Sequence, residues 1–136
     1  MKYMLDTNIV SAIVRDPRGR VLERLTEVGE ENVCISIITH GEIWYGVRKN
    51  GLEELSRKVA NVTRRLQVAS LTIPCDQRYA EVRLALRQGK NIGPNDLWIA
   101  AHALALDATL VTANESEFSR VPGLKIENWL RQAATE

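Results

Sequence analysis

Four acidic residues, far apart in the chain, lie at or just beyond the ends of short apolar runs: Asp6, Glu42, Asp96 and Glu117. Asp6 follows Tyr3-Met4-Leu5, and Glu42 comes shortly after Val33-Cys34-Ile35-Ser36. Asp96 follows Gly93-Pro94-Asn95, and Glu117 comes after Leu110-Val111-Thr112. Carboxylates gathered in one place repel one another and hold protons more tightly, unless a cation sits among them. Hard divalent ions such as magnesium take oxygen ligands and keep several waters, so one or two direct carboxylates suffice. We read Asp6 and Asp96 as direct ligands. Glu42 and Glu117 are read as acids that hold the ion's waters, one of them helping to deprotonate an attacking water. Each acid also fits a plainer role: Asp6 as a helix N-cap, Asp96 as a first-turn acid favoured by the helix dipole, Glu42 and Glu117 as surface charges. Their joint appearance in this order favours one shared site.

Rival chemistries find little support. The chain has no phosphate-binding glycine loop, no Cys/His metal motif and no Ser/His/Asp arrangement. His40 and His102 are its only histidines, which disfavours a metal-free, two-histidine ribonuclease. A phosphohydrolase using Asp6 as nucleophile typically wants a second aspartate two residues on, where this chain has Asn8. Cys34 and Cys75 lack the paired spacing of a zinc or redox site and read as reduced structural thiols.

To bring the four acids together, the chain must place them at the carboxyl ends of strands in one sheet, where loops and helix starts converge. Short apolar runs alternate with longer amphipathic stretches, the sign of a three-layer α/β/α sandwich around a mostly parallel sheet of four to five strands. Tyr3-Met4-Leu5 is the first strand, with Asp6-Thr7-Asn8 able to cap a helix opening at Ile9. Val33–Ser36 is the second, leading into a helix from about Ile38 to Val47 that Asn50-Gly51 breaks. Leu52, Leu55, Val59, Val62 and Leu66 recur at helical spacing. A strand is expected over Val68 to Ile73, then a helix ending near Gly89. Gly93-Pro94 starts a further helix, from Asn95 to about Leu106, leading into the strand Ala108–Thr112. A turn over Glu115 to Phe118 and a strand near Leu124-Lys125-Ile126 close the pattern.

The 136 residues fit a single domain spanning 1–136, and no apolar run approaches the roughly 20 residues that cross a bilayer. An acidic residue as early as Asp6 leaves no room for an export signal, so a soluble, cytoplasmic protein without membrane partners is expected. With 18 Lys and Arg against 17 Asp and Glu, bulk charge does not attract nucleic acid, and any such site must be local. Basic clusters at Arg15, Arg18, Arg20 and Arg24, and at Arg57, Lys58, Arg64 and Arg65, read either as stripes or as solvated helix faces.

Four segments together resemble the PIN-domain family and, more narrowly, its VapC toxin branch. They are Met4–Ile9; Ile35-Ser36-Ile37-Ile38-Thr39 through Glu42 to Tyr45-Gly46; Ile92–Asp96 with Trp98-Ile99-Ala100; and Leu110–Asn114 through Glu117-Phe118 to Leu124. The Leu-Asp-Thr-Asn start alone is weakly specific; the ordered set of four is strongly so. The resemblance implies Mg²⁺ or Mn²⁺ at Asp6 and Asp96, Glu42 and Glu117 completing an acidic pocket, Thr112 and Asn114 as polar supports, and Thr7 and Asn8 shaping its floor. Many relatives carry Asp where Glu117 stands, and some place an acid at the Asn114 position. It further implies an endoribonuclease leaving 5′-phosphate and 3′-hydroxyl ends, with tRNA among the candidate substrates, that acts as the toxin of a type II toxin–antitoxin pair. Its partner would be a cognate VapB-like antitoxin, whose C-terminal segment covers the acids with a basic side chain. A homodimer or toxin–antitoxin hetero-oligomer is implied as well, with Ile43, Trp44 and Tyr45 as a patch for a partner or second copy. The alternative is a catalytically silent PIN-like module that binds RNA or protein.

Overall fold

Strand residues that alternate between two apolar environments require cover on both faces of the sheet. The computed structural model, which describes residues 2–89 and 92–131, shows that arrangement. Five strands, β1 (Tyr3–Leu5), β2 (Val33–Ser36), β3 (Gln67–Ala69), β4 (Thr109–Val111) and β5 (Ile126–Glu127), form one sheet in the order β3-β2-β1-β4-β5. Every pairing is parallel, with Leu5 opposite Ile35 on one side and Val111 on the other.

Leu5, Val33, Ile35 and Val111 point into a core shared with α1 (Thr7–Arg15), α2 (Arg20–Val28), α3 (Ile37–Asn50) and α4 (Glu53–Thr63). Met4, Cys34 and Leu110 point the other way, toward α5 (Cys75–Ala85), α6 (Pro94–Ala105) and the one-turn α7 (Glu115–Phe118). The period of two along each strand thus builds the expected three layers. Among the described residues no helix is long and apolar enough to cross a membrane. Cys34 and Cys75 are both buried and free, and burial pushes the Cys34 thiol up to about 11.

Several boundaries differ from the sequence expectation, each for a physical reason. The strand expected over Val68 to Ile73 covers only Gln67–Ala69, because its one neighbour, β2, turns into α3 just after Ser36, the residue paired with Ala69. Ile73 consequently lies 80% exposed in the following loop. The last strand lies slightly later than expected, at Ile126–Glu127, where β4 offers partners. The helix expected to end near Gly89 stops at Ala85, with turns beyond it. The segment α2 was not anticipated: Asp16 before Pro17 is held out of helical geometry, which ends α1, and a second amphipathic helix buries Val21 and Leu25.

The helix starts that matter for the site are fixed locally. Asp6 Oδ1 accepts from the Ile9 amide at 3.0 Å and caps α1; Ser36 Oγ accepts from the Ile38 amide at 3.1 Å and caps α3. Gly93 precedes α6 and Pro94 occupies its first turn, where a missing N–H costs nothing. Gly51, in the left-handed region at φ 82°, ends α3.

Candidate active site

At the carboxyl end of β1, Asp6 is 4% exposed and its amide donates to the Val111 carbonyl at 3.0 Å, so the end of the strand is locked to β4. Burial pushes its carboxyl up from the ordinary range, while the Thr112 hydroxyl and the Ile9 and Asn8 amides pull it back. Its role as N-cap and its place in an acidic cluster therefore coexist. Thr112 is fully buried at the end of β4, and its Oγ1 also accepts the Asn114 amide at 2.9 Å. Asn114 thus contributes through its backbone, at the start of α7.

The α3 helix carries Glu42 toward the same edge. Its Oε1 accepts from the Thr7 hydroxyl and its Oε2 from the Asn95 side-chain amide at 2.9 Å, so both oxygens are engaged. Asn95 was not among the sequence-derived site residues, although its position beside Asp96 was the signal available. Asp96 follows in the first turn of α6, and its carboxyl is pushed up to about 7. Burial is the largest cause, followed by the Glu117 carboxyl, close enough to share a proton, and then by the charges of Glu117, Glu42 and Asp6. Glu117 itself lies in α7 with Oε1 buried and, among the described residues, no amide or hydroxyl donor reaching it.

The charges of Glu117, Glu42 and Asp6 thus all reach Asp96, so the four sequence-derived acids lie at one edge of the sheet. None of them takes part in an ion pair with a basic side chain among the described residues. Unpaired like charges and a buried carboxylate oxygen without a donor are what a divalent cation satisfies, so the residues present fit one. Among the described residues no three acidic, histidine or cysteine side chains converge tightly enough for a closed metal cage. That looseness suits an ion held by one or two carboxylates and its own waters.

An open cleft of about 760 Å³ gives access to the acids. Thr7, Asn8, Glu42, Asn95 and Asp96 are among the residues that line it, while Asp6 and Thr112 are buried and do not. Thr7 and Asn8, expected to shape a polar floor, are among the residues that line the cleft. Behind the cleft, the fully buried His102 of α6 brings Nδ1 to 2.8 Å from Ser36 Oγ, a contact absent from the sequence reading. It joins the helix bearing Asp96 to the cap of the helix bearing Glu42, and burial lowers the imidazole pKa.

The patch anticipated at Ile43, Trp44 and Tyr45 divides. Ile43 is in the core, Trp44 is half-buried with its indole N–H donating to His40 Nε2 at 2.9 Å, and only Tyr45 is exposed. Trp129 is core, and Trp98 stacks on Tyr79 with ring centroids 3.9 Å apart. The basic clusters are interrupted by acids on neighbouring faces: Arg24 pairs with Glu27, Lys58 with Glu54 and Arg65 with Glu30.

Residues 3–124 match the PIN domain family. The chain is similar to ribonuclease VapC2 of Rickettsia felis, at 39% identity over 95% of this chain and 98% of the relative. It is also similar to a tRNA(fMet)-specific endonuclease VapC of Shigella flexneri, at 34% identity over 95% of this chain and 98% of that one. Its fold matches a chain in the crystal structure of VapBC2 from Rickettsia felis bound to a promoter DNA fragment, with a TM-score of 0.87 over 95% of this chain and 99% of the other.

Proposed function

The chain belongs to the PIN domain family, and from that premise we propose that it is a VapC-type toxin, a metal-dependent endoribonuclease that hydrolyses RNA phosphodiester bonds. The observation that carries this reading is the acidic edge without a basic partner among the described residues, where burial and the neighbouring carboxylates push the Asp6 and Asp96 carboxyls up. Residues 1–136 then form one PIN domain, acting in the cytoplasm.

Asp6 and Asp96 would hold a divalent ion, Mg²⁺ with Mn²⁺ as a substitute, and Glu42 and Glu117 its water shell. When bound, such an ion polarises the phosphodiester and lowers the pKa of water. The chain's own groups do the rest. Thr112 and the first amides of α1 fix the Asp6 carboxylate. Thr7 and Asn95 engage both oxygens of Glu42, which makes it a positioned acceptor. Among the described residues no amide or hydroxyl donates to Glu117 Oε1, so once the proton it shares with Asp96 is lost on metal binding this oxygen is free to take one from the attacking water. Attack on phosphorus with loss of the 3′ oxygen gives 5′-phosphate and 3′-hydroxyl ends. The Shigella flexneri relative, named as a tRNA(fMet)-specific endonuclease, makes tRNA the first substrate to test.

The Rickettsia felis structure contains a VapBC pair, which supports a cognate VapB-like antitoxin for this chain and a toxin–antitoxin hetero-oligomer, with a homodimer of the toxin within it. An acidic cleft without an internal cation is suited to a basic side chain supplied by such a partner. The test is to produce the chain in a bacterial host with and without the product of its neighbouring small gene. Growth arrest relieved by the second protein, and absent in Asp6→Asn, is expected; unimpeded growth with active wild-type protein would remove the toxin role.

A further inference from the structure

The acidic cleft is also lined by Ile37, Ile38, Gly41 and Tyr45, which like Glu42 come from α3. Ile37, Gly41, Tyr45 and Lys49 follow one another at intervals of four and so form one stripe along the helix, beside Glu42. This stripe is not core: Ile37 is 45% and Tyr45 67% exposed, whereas Ile43 and Val47 of the same helix are buried. Nothing lies within 4 Å of where a Gly41 side chain would begin, which leaves an open notch between Ile37 and Tyr45. The Lys49 ammonium stands over the Tyr45 ring, 6.0 Å from its centroid. Among the described residues it has no carboxylate partner.

An acidic site that cleaves phosphodiesters and an apolar, aromatic wall share one cleft, and the Lys49 cation stands next to that wall, over the Tyr45 ring. Single-stranded RNA supplies the complement to each part in the right succession: a phosphate at the acids, a planar base alongside, and a further phosphate beyond. We propose that the Ile37–Gly41–Tyr45 face of α3 receives a nucleobase next to the cleaved bond, stacked on Tyr45, with Lys49 meeting the adjoining phosphate. This rests on the ribonuclease reading for the identity of its occupant. The base must be unpaired to reach the notch, so the face selects loops and single strands over duplex. Because every base has a flat apolar face, the stack adds affinity without naming a base.

The test uses two readouts on full-length protein. The first is the Kd for a short fluorescein-labelled single-stranded RNA of mixed sequence, in calcium, beside the same strand with abasic residues. The second is steady-state cleavage of total tRNA in magnesium. Tyr45→Ala is expected to raise Kd and KM roughly five- to a hundredfold, the span of one base–aromatic stack, with kcat within about twofold. It should also erase the wild-type preference for RNA over the abasic strand, and Tyr45→Phe should restore both. Gly41→Leu, which fills the notch on an exposed helix position where the fold tolerates it, should raise KM in the same way. Unchanged Kd and KM in both Tyr45→Ala and Gly41→Leu would overturn the proposal. So would a change in assembly mass by light scattering with RNA affinity intact, which would assign the face to a second copy of the chain. If wild-type protein cleaves nothing, the ribonuclease reading fails, while the binding comparison still decides whether this wall engages bases.

Discussion

The side-chain amide of Asn95 donates to Glu42 Oε2 across 2.9 Å, tying the first turn of α6 to the middle of α3. Through this bond the helix that presents Asp96 also orients the acid facing it. Asn95→Ala frees one oxygen of Glu42 without disturbing the core, since Asn95 is exposed. Loss of such an orienting partner costs about 10- to 100-fold in activity or metal affinity. Steady-state cleavage of tRNA should show that fall in kcat/KM, with a thermal midpoint like that of wild type; full activity would leave Glu42 positioned by Thr7 alone.

The proton held by Asp96 gives a pH dependence with a definite sign. In the folded chain it is retained up to about 7, against an ordinary value of 3.8. Between those values the folded state binds more protons than the unfolded one, so without metal its stability falls as pH rises through this window. Asp96→Asn cannot ionise. In EDTA near about pH 8 it should exceed wild type by roughly 1 to 2 kcal/mol in urea unfolding, less than the full linkage value because Asp96 is partly exposed and water screens the repulsion. A variant weaker than wild type under these conditions would contradict the repulsive cluster.

A bound ion reverses that penalty. Magnesium or manganese at about a hundred times its Kd should stabilise the protein by about 2.7 kcal/mol, a rise in thermal midpoint on the order of 5 to 10 °C for a domain of this size. Differential scanning calorimetry of wild type, Asp6→Asn and Asp96→Asn would show the shift only in the first. An equal shift in all three would place the ion elsewhere.

The buried bond between His102 and Ser36 predicts a purely structural effect. Ser36→Ala removes the cap of α3 and leaves His102 Nδ1 without its partner, in a site no water-exposed group can replace. Unfolding in urea should lose about 2 kcal/mol or more, the sum of a cap and an unsatisfied buried donor or acceptor. A loss below about 0.5 kcal/mol would mean the pair is not formed.

Much of this was legible in the sequence because strands and helix starts are local. Asp6, Asp96 and Glu117 each follow a strand or open a helix, and the parallel topology then has little choice about which edge they share. What escaped depends on distant partners. Asn95 meets Glu42 from 53 positions away, and His102 meets Ser36 from 66, and helical periodicity does not say which side chains will face each other across a cleft. The end of β3 was hidden for the same reason, being set by where β2 stops. The helix α2 is masked in the sequence by its charged residues, since only Val21 and Leu25 carry its buried face.

The most direct measurement is cleavage of tRNA and bulk RNA by purified, antitoxin-free protein, with Mg²⁺, with Mn²⁺ and with EDTA, beside Asp6→Asn. Discrete fragments with 5′-phosphate ends, appearing only with metal and only with Asp6 present, are the predicted result. RNA left intact by folded wild-type protein under every condition would contradict the nuclease and leave a PIN fold that binds without cutting.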